Sequence, residues 1–96
     1  MGIEQVAQVE AAFKLGIEVN SATILLGRVT SMLEGGIMAE RTKKSIADDF
    51  PQYRQMAQDL ITKLRDYQGR EFEKLQVQLQ RKVIELEKAA KPYLPR

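Results

Sequence analysis

The chain has 96 residues, of which 44% are hydrophobic and 29% charged, carries a net charge of +2, and contains no His and no Cys. This length predicts one small domain, and the missing residue types exclude disulfides, thiol nucleophiles and imidazole acid–base chemistry. Fifteen basic residues are nearly balanced by thirteen acidic ones. That balance gives little support to a dedicated nucleic-acid binder, which usually carries a clustered basic face.

The first predicted element is a helical region over residues 3–34. Its first half predicts an amphipathic helix with an apolar stripe, and a stripe of this spacing is most often core. The stripe consists of Ile3, Val6, Val9 (or Glu10), Phe13 and Ile17. Gly16 either ends this helix as a capping residue or is tolerated inside a longer one.

Residues 17–26 are ambiguous because their β-branched side chains suggest a strand. We favour a helix, since Asn20 and Ser21 offer N-cap oxygens and the apolar residues that follow keep helical spacing. Gly35 and Gly36 then predict a turn over residues 35–37, because glycine supplies the positive φ that a helix C-terminus uses.

Residues 38–48 form either a short helix or an irregular connection that carries a small basic cluster, Arg41, Lys43 and Lys44. Asp49 is the predicted N-cap of the next helix, with Gln52 three residues on in a capping-box arrangement and Pro51 in the first turn.

A long C-terminal helix is predicted over residues 49–90, with a possible break near residue 69. Its first apolar stripe runs from Phe50 to Tyr67, and a second begins at Phe72 with its phase displaced by about one residue. Either one continuous helix is locally unwound near Gly69, or two helices meet there. Residues 91–96 form a tail in which Pro92 and Pro95 end the helix, and Tyr93 and Leu94 are candidates for docking on the core.

No motif in the chain predicts catalysis, a cofactor or a metal. Asp48 and Asp49 are the densest acidic cluster, and helix capping explains them. Gly35-Gly36 lacks the sequence of a phosphate-binding loop, and none of the serines lies in a nucleophile-elbow frame. We therefore expect a protein that is not an enzyme and has no catalytic, cofactor-binding or metal-binding residues.

The apolar stripes are the most informative pattern. The first helical region would cover at most ~48 Å of a continuous helix of ~60 Å, so part of the last stripe is predicted to remain open for self-association or for another protein. The partner-binding residues predicted on this ground are Phe72, Leu75, Leu79, Val83 and Leu86.

These observations predict an all-α fold, either an antiparallel helical hairpin or a small three-helix bundle with coiled-coil-like packing. The predicted function is helix–helix interaction with a protein partner or in a homo-oligomer, as in an accessory, chaperone or structural subunit of a larger assembly. Two alternatives stay open: nucleic-acid binding through the basic residues of 41–44 and the long helix, and binding to a membrane surface.

The length and hairpin outline resemble small secreted helical hairpins of the WXG100 type. The Trp-x-Gly of their turn is absent here, where the chain reads Leu33-Glu34-Gly35-Gly36, so the resemblance is one of shape and implies no site residues. Subunits and chaperones of type III secretion systems and phage accessory proteins share the same outline.

The N-terminus has no cationic stretch before an apolar run, so no signal peptide is expected. The most apolar window, residues 22–33, contains Arg28 and is too short to span a bilayer. A cytoplasmic location is expected by default, and non-classical secretion stays open.

Overall fold

A computed structural model describes the backbone of residues 3–95 and the side chains of residues 6–95. Helix α1 spans Ile3–Glu34, α2 Glu40–Asp48, α3 Phe50–Leu64 and α4 Arg70–Ala90, and a 3₁₀ turn follows at Lys91–Tyr93. Because residues 3–95 contain helices and no strand, the predicted all-α fold is confirmed.

The three longer helices pack side by side as a bundle, with α1 against both α3 and α4, and α3 against α4. Helix α4 runs parallel to α1, since Gly16 and Phe72 border one groove and Gly27 lies beside Lys82 farther along both helices. Helix α3 runs antiparallel to both, and α2 packs at the end where α1 and α4 finish. The resulting molecule is elongated, with dimensions of 56 × 22 × 18 Å.

Helix α1 is continuous through Gly16 and through residues 17–26, so the helical interpretation of that stretch is confirmed. The predicted N-cap at Asn20 and Ser21 is wrong, because both residues lie exposed in the middle of the helix. Helix α1 is stabilised because one heptad-spaced face is buried against α3 and α4. This face, the core seam, consists of Leu15, Val19, Ala22, Leu26, Val29 and Leu33.

The stripe predicted for the first half of α1 is not the buried one. Val6, Val9, Phe13 and Ile17 are 58%, 69%, 70% and 52% exposed, respectively, and the side chain of Ile3 lies outside the described side chains. The prediction fails because α1 is apolar on two opposite sides. Periodicity alone identifies each stripe but cannot say which one α3 and α4 cover.

Helices α2 and α3 are joined at Asp49 alone, so the short-helix alternative for residues 38–48 holds. Asp49 is the N-cap residue of α3, as predicted, but its side chain makes no capping hydrogen bond. The capping box does not form because Asp49 is also the C-cap of α2, with φ −85° and ψ 0°. Its N–H donates to the carbonyl of Ile46 at 3.1 Å, which carries the backbone of α2 into α3.

The long helix predicted over 49–90 is two helices, α3 and α4, separated by residues 65–69. Gly69 takes φ 136° and ψ 154°, a conformation essentially restricted to glycine. The rings of Tyr67 and Phe72 stack across the turn with centroids 5.0 Å apart. The displaced phase of the two stripes therefore marks a chain reversal, which lets α3 and α4 both face α1.

The C-terminal tail docks as predicted, with Tyr93 and Leu94 packed against the core. Lys43 of α2 is buried at 7% exposure, and its Nζ lies 5.9 Å from the centroid of the Tyr93 ring. The basic cluster predicted at residues 41–44 is thus divided, because Lys43 belongs to the packing while Arg41 and Lys44 remain exposed.

Candidate protein-interaction surface

The five residues predicted to bind a partner face the interior of the bundle. Leu79 and Leu86 are fully buried, and Phe72, Leu75 and Val83 are partly buried against the same core. The overhang expected from one continuous helix does not arise, because α3 folds back and covers α4 on a second side. These side chains are the contribution of α4 to the core, so an accessible contact surface has to be found elsewhere.

The outward side of α1 carries a second heptad-spaced row of residues, which we call the outer seam. Each member from residue 13 onward lies two residues before a member of the core seam. Two residues correspond to a rotation of about 200° around the helix axis, so the two rows lie on opposite sides of α1. The outer seam consists of Val6, Glu10, Phe13, Ile17, Asn20, Ile24, Gly27 and Ser31. It therefore runs along the side of α1 that points away from α3 and α4.

Four members of the outer seam are large apolar residues more than half exposed: Val6, Phe13, Ile17 and Ile24. Val9 beside them is 69% exposed. Together these five side chains present on the order of 500 Å² of apolar surface, near the upper end of what a monomer usually leaves uncovered. Scattered exposed apolar residues need no explanation, but these five share one face of one helix.

Two open grooves border the outer seam and extend its apolar surface. On the side of α4, a groove of ≈ 430 Å³ is lined by Phe13 and Ile17 together with Phe72 and Leu75. On the side of α3, a groove of ≈ 560 Å³ is lined by Ile17, Leu25, Met56 and Leu60, together with the charged residues Glu18, Asp59 and Lys63. Phe72 and Leu75 are thus the two predicted site residues that reach this surface, at its edge.

The outer seam carries little charge. Glu10 is its only ionisable member, and Arg28 lies on the same edge about five helical turns farther along. Among the described side chains, the ion pair present joins Lys82 and Glu85 at 3.5 Å, so neither Glu10 nor Arg28 takes part in it. A surface that is apolar along its length, with Glu10, Lys14 and Arg28 on one edge, suits another helix better than a charged ligand.

Glycine lies in or beside the outer seam at two positions, Gly16 and Gly27. A Cβ built on Gly16 would meet nothing within 4 Å, and one on Gly27 would meet only the Lys82 Nζ at 3.9 Å. Packing within the chain therefore does not require glycine at either place. Each glycine costs a helix interior about 1 kcal/mol relative to alanine, and a neighbouring helix that approaches closely would account for both.

The outward side of α4 is different in character. Val77 and Ile84 are 47% and 52% exposed, and charged residues of both signs surround them at helical spacing. The basic residues are Arg70, Lys74, Arg81 and Lys88, and the acidic ones are Glu73 and Glu87. This face offers two isolated apolar side chains among charges, where the outer seam of α1 offers a continuous apolar row.

Comparison with protein-family models, with characterised proteins and with solved structures finds no match for this chain. Within residues 3–95, no helix is long and apolar enough to cross a bilayer, and no three acidic side chains lie close enough together to hold a metal ion. The geometry of the chain itself is therefore the basis for a functional proposal.

Proposed function

We propose that this chain is a non-enzymatic helical protein that acts by docking the outer seam of α1 against a helix of another protein chain. The single observation that carries the proposal is the row of large apolar side chains exposed on the side of α1 opposite the core. Apolar surface of this extent, gathered on one helix face, is characteristic of protein interaction sites.

The surface fits a helix because its repeat is that of a helix. Steps of three and four residues bring successive side chains to the same face, and a partner helix with the same spacing would interdigitate with them. The two apolar grooves beside the seam would receive side chains from the edges of that partner. We place the contact on α1 because the apolar residues of α4 at Leu79 and Leu86 are already used within the chain.

Site-specific photo-crosslinking in the native host tests the proposal. A photoreactive phenylalanine analogue replaces Phe13 in one variant and Ile84 in a matched control, since both side chains are exposed and apolar. We expect a protein adduct from position 13, on a peptide with helical apolar spacing, and little or none from position 84. Equal labelling from the two positions, or no protein adduct from position 13, would overturn the proposal.

The basic face of α4 favours one alternative, nucleic-acid binding through phosphate contacts. Four cations against two acids at helical spacing could follow a phosphate backbone, and affinity would then fall steeply with added salt. A titration with labelled duplex DNA and single-stranded RNA at low salt decides this. Salt-sensitive binding that is lost in Arg81→Glu and retained in Phe13→Glu would favour this alternative over protein docking.

A further inference from the structure

We infer that the partner of the outer seam is a second copy of this chain, docked antiparallel through α1. The inference rests on the proposed function, because it names the occupant of the same surface. It follows from three properties of the outer seam: its pairing of large with small residues, the position of its glycines and the position of its two charges.

In an antiparallel pair with its two-fold axis between Ile17 and Asn20, the outer seam of one copy lies along the outer seam of the second copy, which runs in the opposite direction. Of the four pairs, three place a larger side chain opposite a smaller one, and the fourth, Phe13 with Ile24, joins two large side chains. Going outward from the axis, the pairs are Ile17 with Asn20, Phe13 with Ile24, Glu10 with Gly27, and Val6 with Ser31. The seam is therefore complementary to itself in this register, as a two-fold interface requires.

The two glycines lie at positions where the proposed dimer requires small side chains. Gly27 would face Glu10 of the second copy, whose carboxylate needs room to leave the seam, and Gly16 lies beside the axis where the two backbones are closest. Since packing within the chain does not require either glycine, close approach of the second helix explains why helix α1 retains them despite their low helix propensity.

The charges select the antiparallel orientation. A two-fold axis perpendicular to the helices brings the same edge of both copies together, whereas parallel pairing brings opposite edges together. Glu10 and Arg28 share one edge, so the antiparallel register places each beside its counterpart on the other copy, twice per dimer. The opposite edge carries Val9, Gly16 and the buried Thr23, which offer no countercharge to a parallel pair.

The size of the surface is also compatible with a dimer. On the order of 500 Å² of apolar surface from each copy, with the backbone at the glycines and the polar edges added, gives a total above roughly 1,000 Å². That is the lower limit for a specific interface, so the expected dimer dissociates on dilution. Because the interface is small, monomers are expected to predominate at low concentration.

Sedimentation equilibrium of the full chain over about two decades of concentration tests the dimer. We expect a monomer–dimer equilibrium whose dissociation constant rises by about thirtyfold or more in Phe13→Glu, as for a central aromatic at an interface. The matched control Ile84→Glu leaves it unchanged. Both positions are exposed, and far-UV circular dichroism verifies that each variant is folded.

A charge exchange tests the register. Arg28→Glu places two acids beside one another in the proposed dimer and raises the dissociation constant. Combining it with Glu10→Arg restores the complementary pair and returns the dissociation constant to within about threefold of the original, as for exposed ion pairs. A double variant that dimerises no better than the single one overturns this register.

Cysteine cross-linking tests the orientation, and the natural absence of cysteine makes each introduced thiol unique. A mixture of Val6→Cys and Ser31→Cys chains is expected to form a mixed disulfide. Each variant alone forms none, since its two thiols would lie about 38 Å apart. Disulfides from each variant alone would indicate a parallel pair and overturn the inference.

The outcome of photo-crosslinking at position 13 separates this inference from the proposed function. A chain that stays monomeric at every concentration, yet forms an adduct with a different protein, overturns the second copy as partner and leaves helix docking in place. A monomer without any protein adduct overturns both. An adduct joining position 13 to the peptide that contains Ile24 supports both.

Discussion

Gly69 is the residue whose backbone conformation permits the chain to reverse between α3 and α4. Its φ of 136° lies in a region that L side chains rarely adopt, and an added Cβ would meet the Glu71 carboxylate at 3.1–3.2 Å. The backbone conformation is the larger obstacle, because the Glu71 side chain is exposed and can move. Glycine at position 69 thus lets the turn between α3 and α4 form without backbone strain.

We expect Gly69→Ala to lower the free energy of unfolding by about 1–3 kcal/mol, the cost of holding a non-glycine residue in this conformation. Urea denaturation followed by circular dichroism at 222 nm measures it.

Gly16→Ala is the matched control, because Gly16 is helical and a Cβ there meets nothing within 4 Å. In dilute solution it should raise stability by up to about 1 kcal/mol. If Gly69→Ala raised stability instead, the turn described for residues 65–69 would be wrong.

At the scale of the element, α4 separates its apolar residues by face. Leu86 is 1% exposed and Ile84 is 52% exposed, although they are only two residues apart. The first is part of the core, and the second points to solvent. Residues of similar size and hydrophobicity on one helix therefore contribute very differently to the stability of the bundle.

Leu86→Ala is expected to cost about 2–5 kcal/mol through lost burial and the cavity left behind. That is a large part of the total for a small domain. Ile84→Ala should change stability by less than about 0.5 kcal/mol, as surface substitutions usually do. Thermal and urea denaturation of both variants check this, and similar losses in the two would contradict the packing of α4.

The sequence predicted the bounds of α1 and the all-α fold, because the Gly35-Gly36 pair and the heptad spacing are local signals. It could not decide whether residues 65–69 form an unwound stretch of helix or a turn, since both displace the apolar stripe.

The sequence also could not predict which face of α1 is accessible to a partner. Phe13 and Leu15 both lie on apolar rows of α1, and only the positions of α3 and α4 determine which row is buried. The beginning of the exposed row was visible in the sequence, but its periodicity predicted that it would be core.

At the scale of the whole molecule, α2 and the C-terminal tail close one end of the bundle. Tyr93 packs against the core, and the Lys43 Nζ lies over its ring. This contact joins two short segments, which also pack on the core through Ala47 and Leu94. A cation and an aromatic ring from distant parts of the chain therefore meet at the end of the bundle where α1 and α4 finish.

Tyr93→Ala should lower the free energy of unfolding by about 1–3 kcal/mol, since it removes the ring from both the core and the ammonium group. Lys43→Met keeps an apolar stem of similar length and removes both the cation–π contact and the cost of burying the ammonium group, so we expect a change of less than about 1 kcal/mol. Chemical denaturation of the two variants measures both values. Full stability in Tyr93→Ala would show that the tail does not hold this end.

The two seams of α1 also bear on how the chain avoids a competing fold. A rotation of α1 about its own axis would present the outer seam to α3 and α4, and the spacing of the side chains would match equally well. Glu10 and Asn20 would then be buried without partners, and Gly27 and Ser31 would leave cavities. These four residues lower the apolar character of the outer seam, and in doing so they make the inside-out arrangement unfavourable. Replacing them with leucines would strengthen the outer contact, but it would remove the energetic difference that decides which way α1 faces.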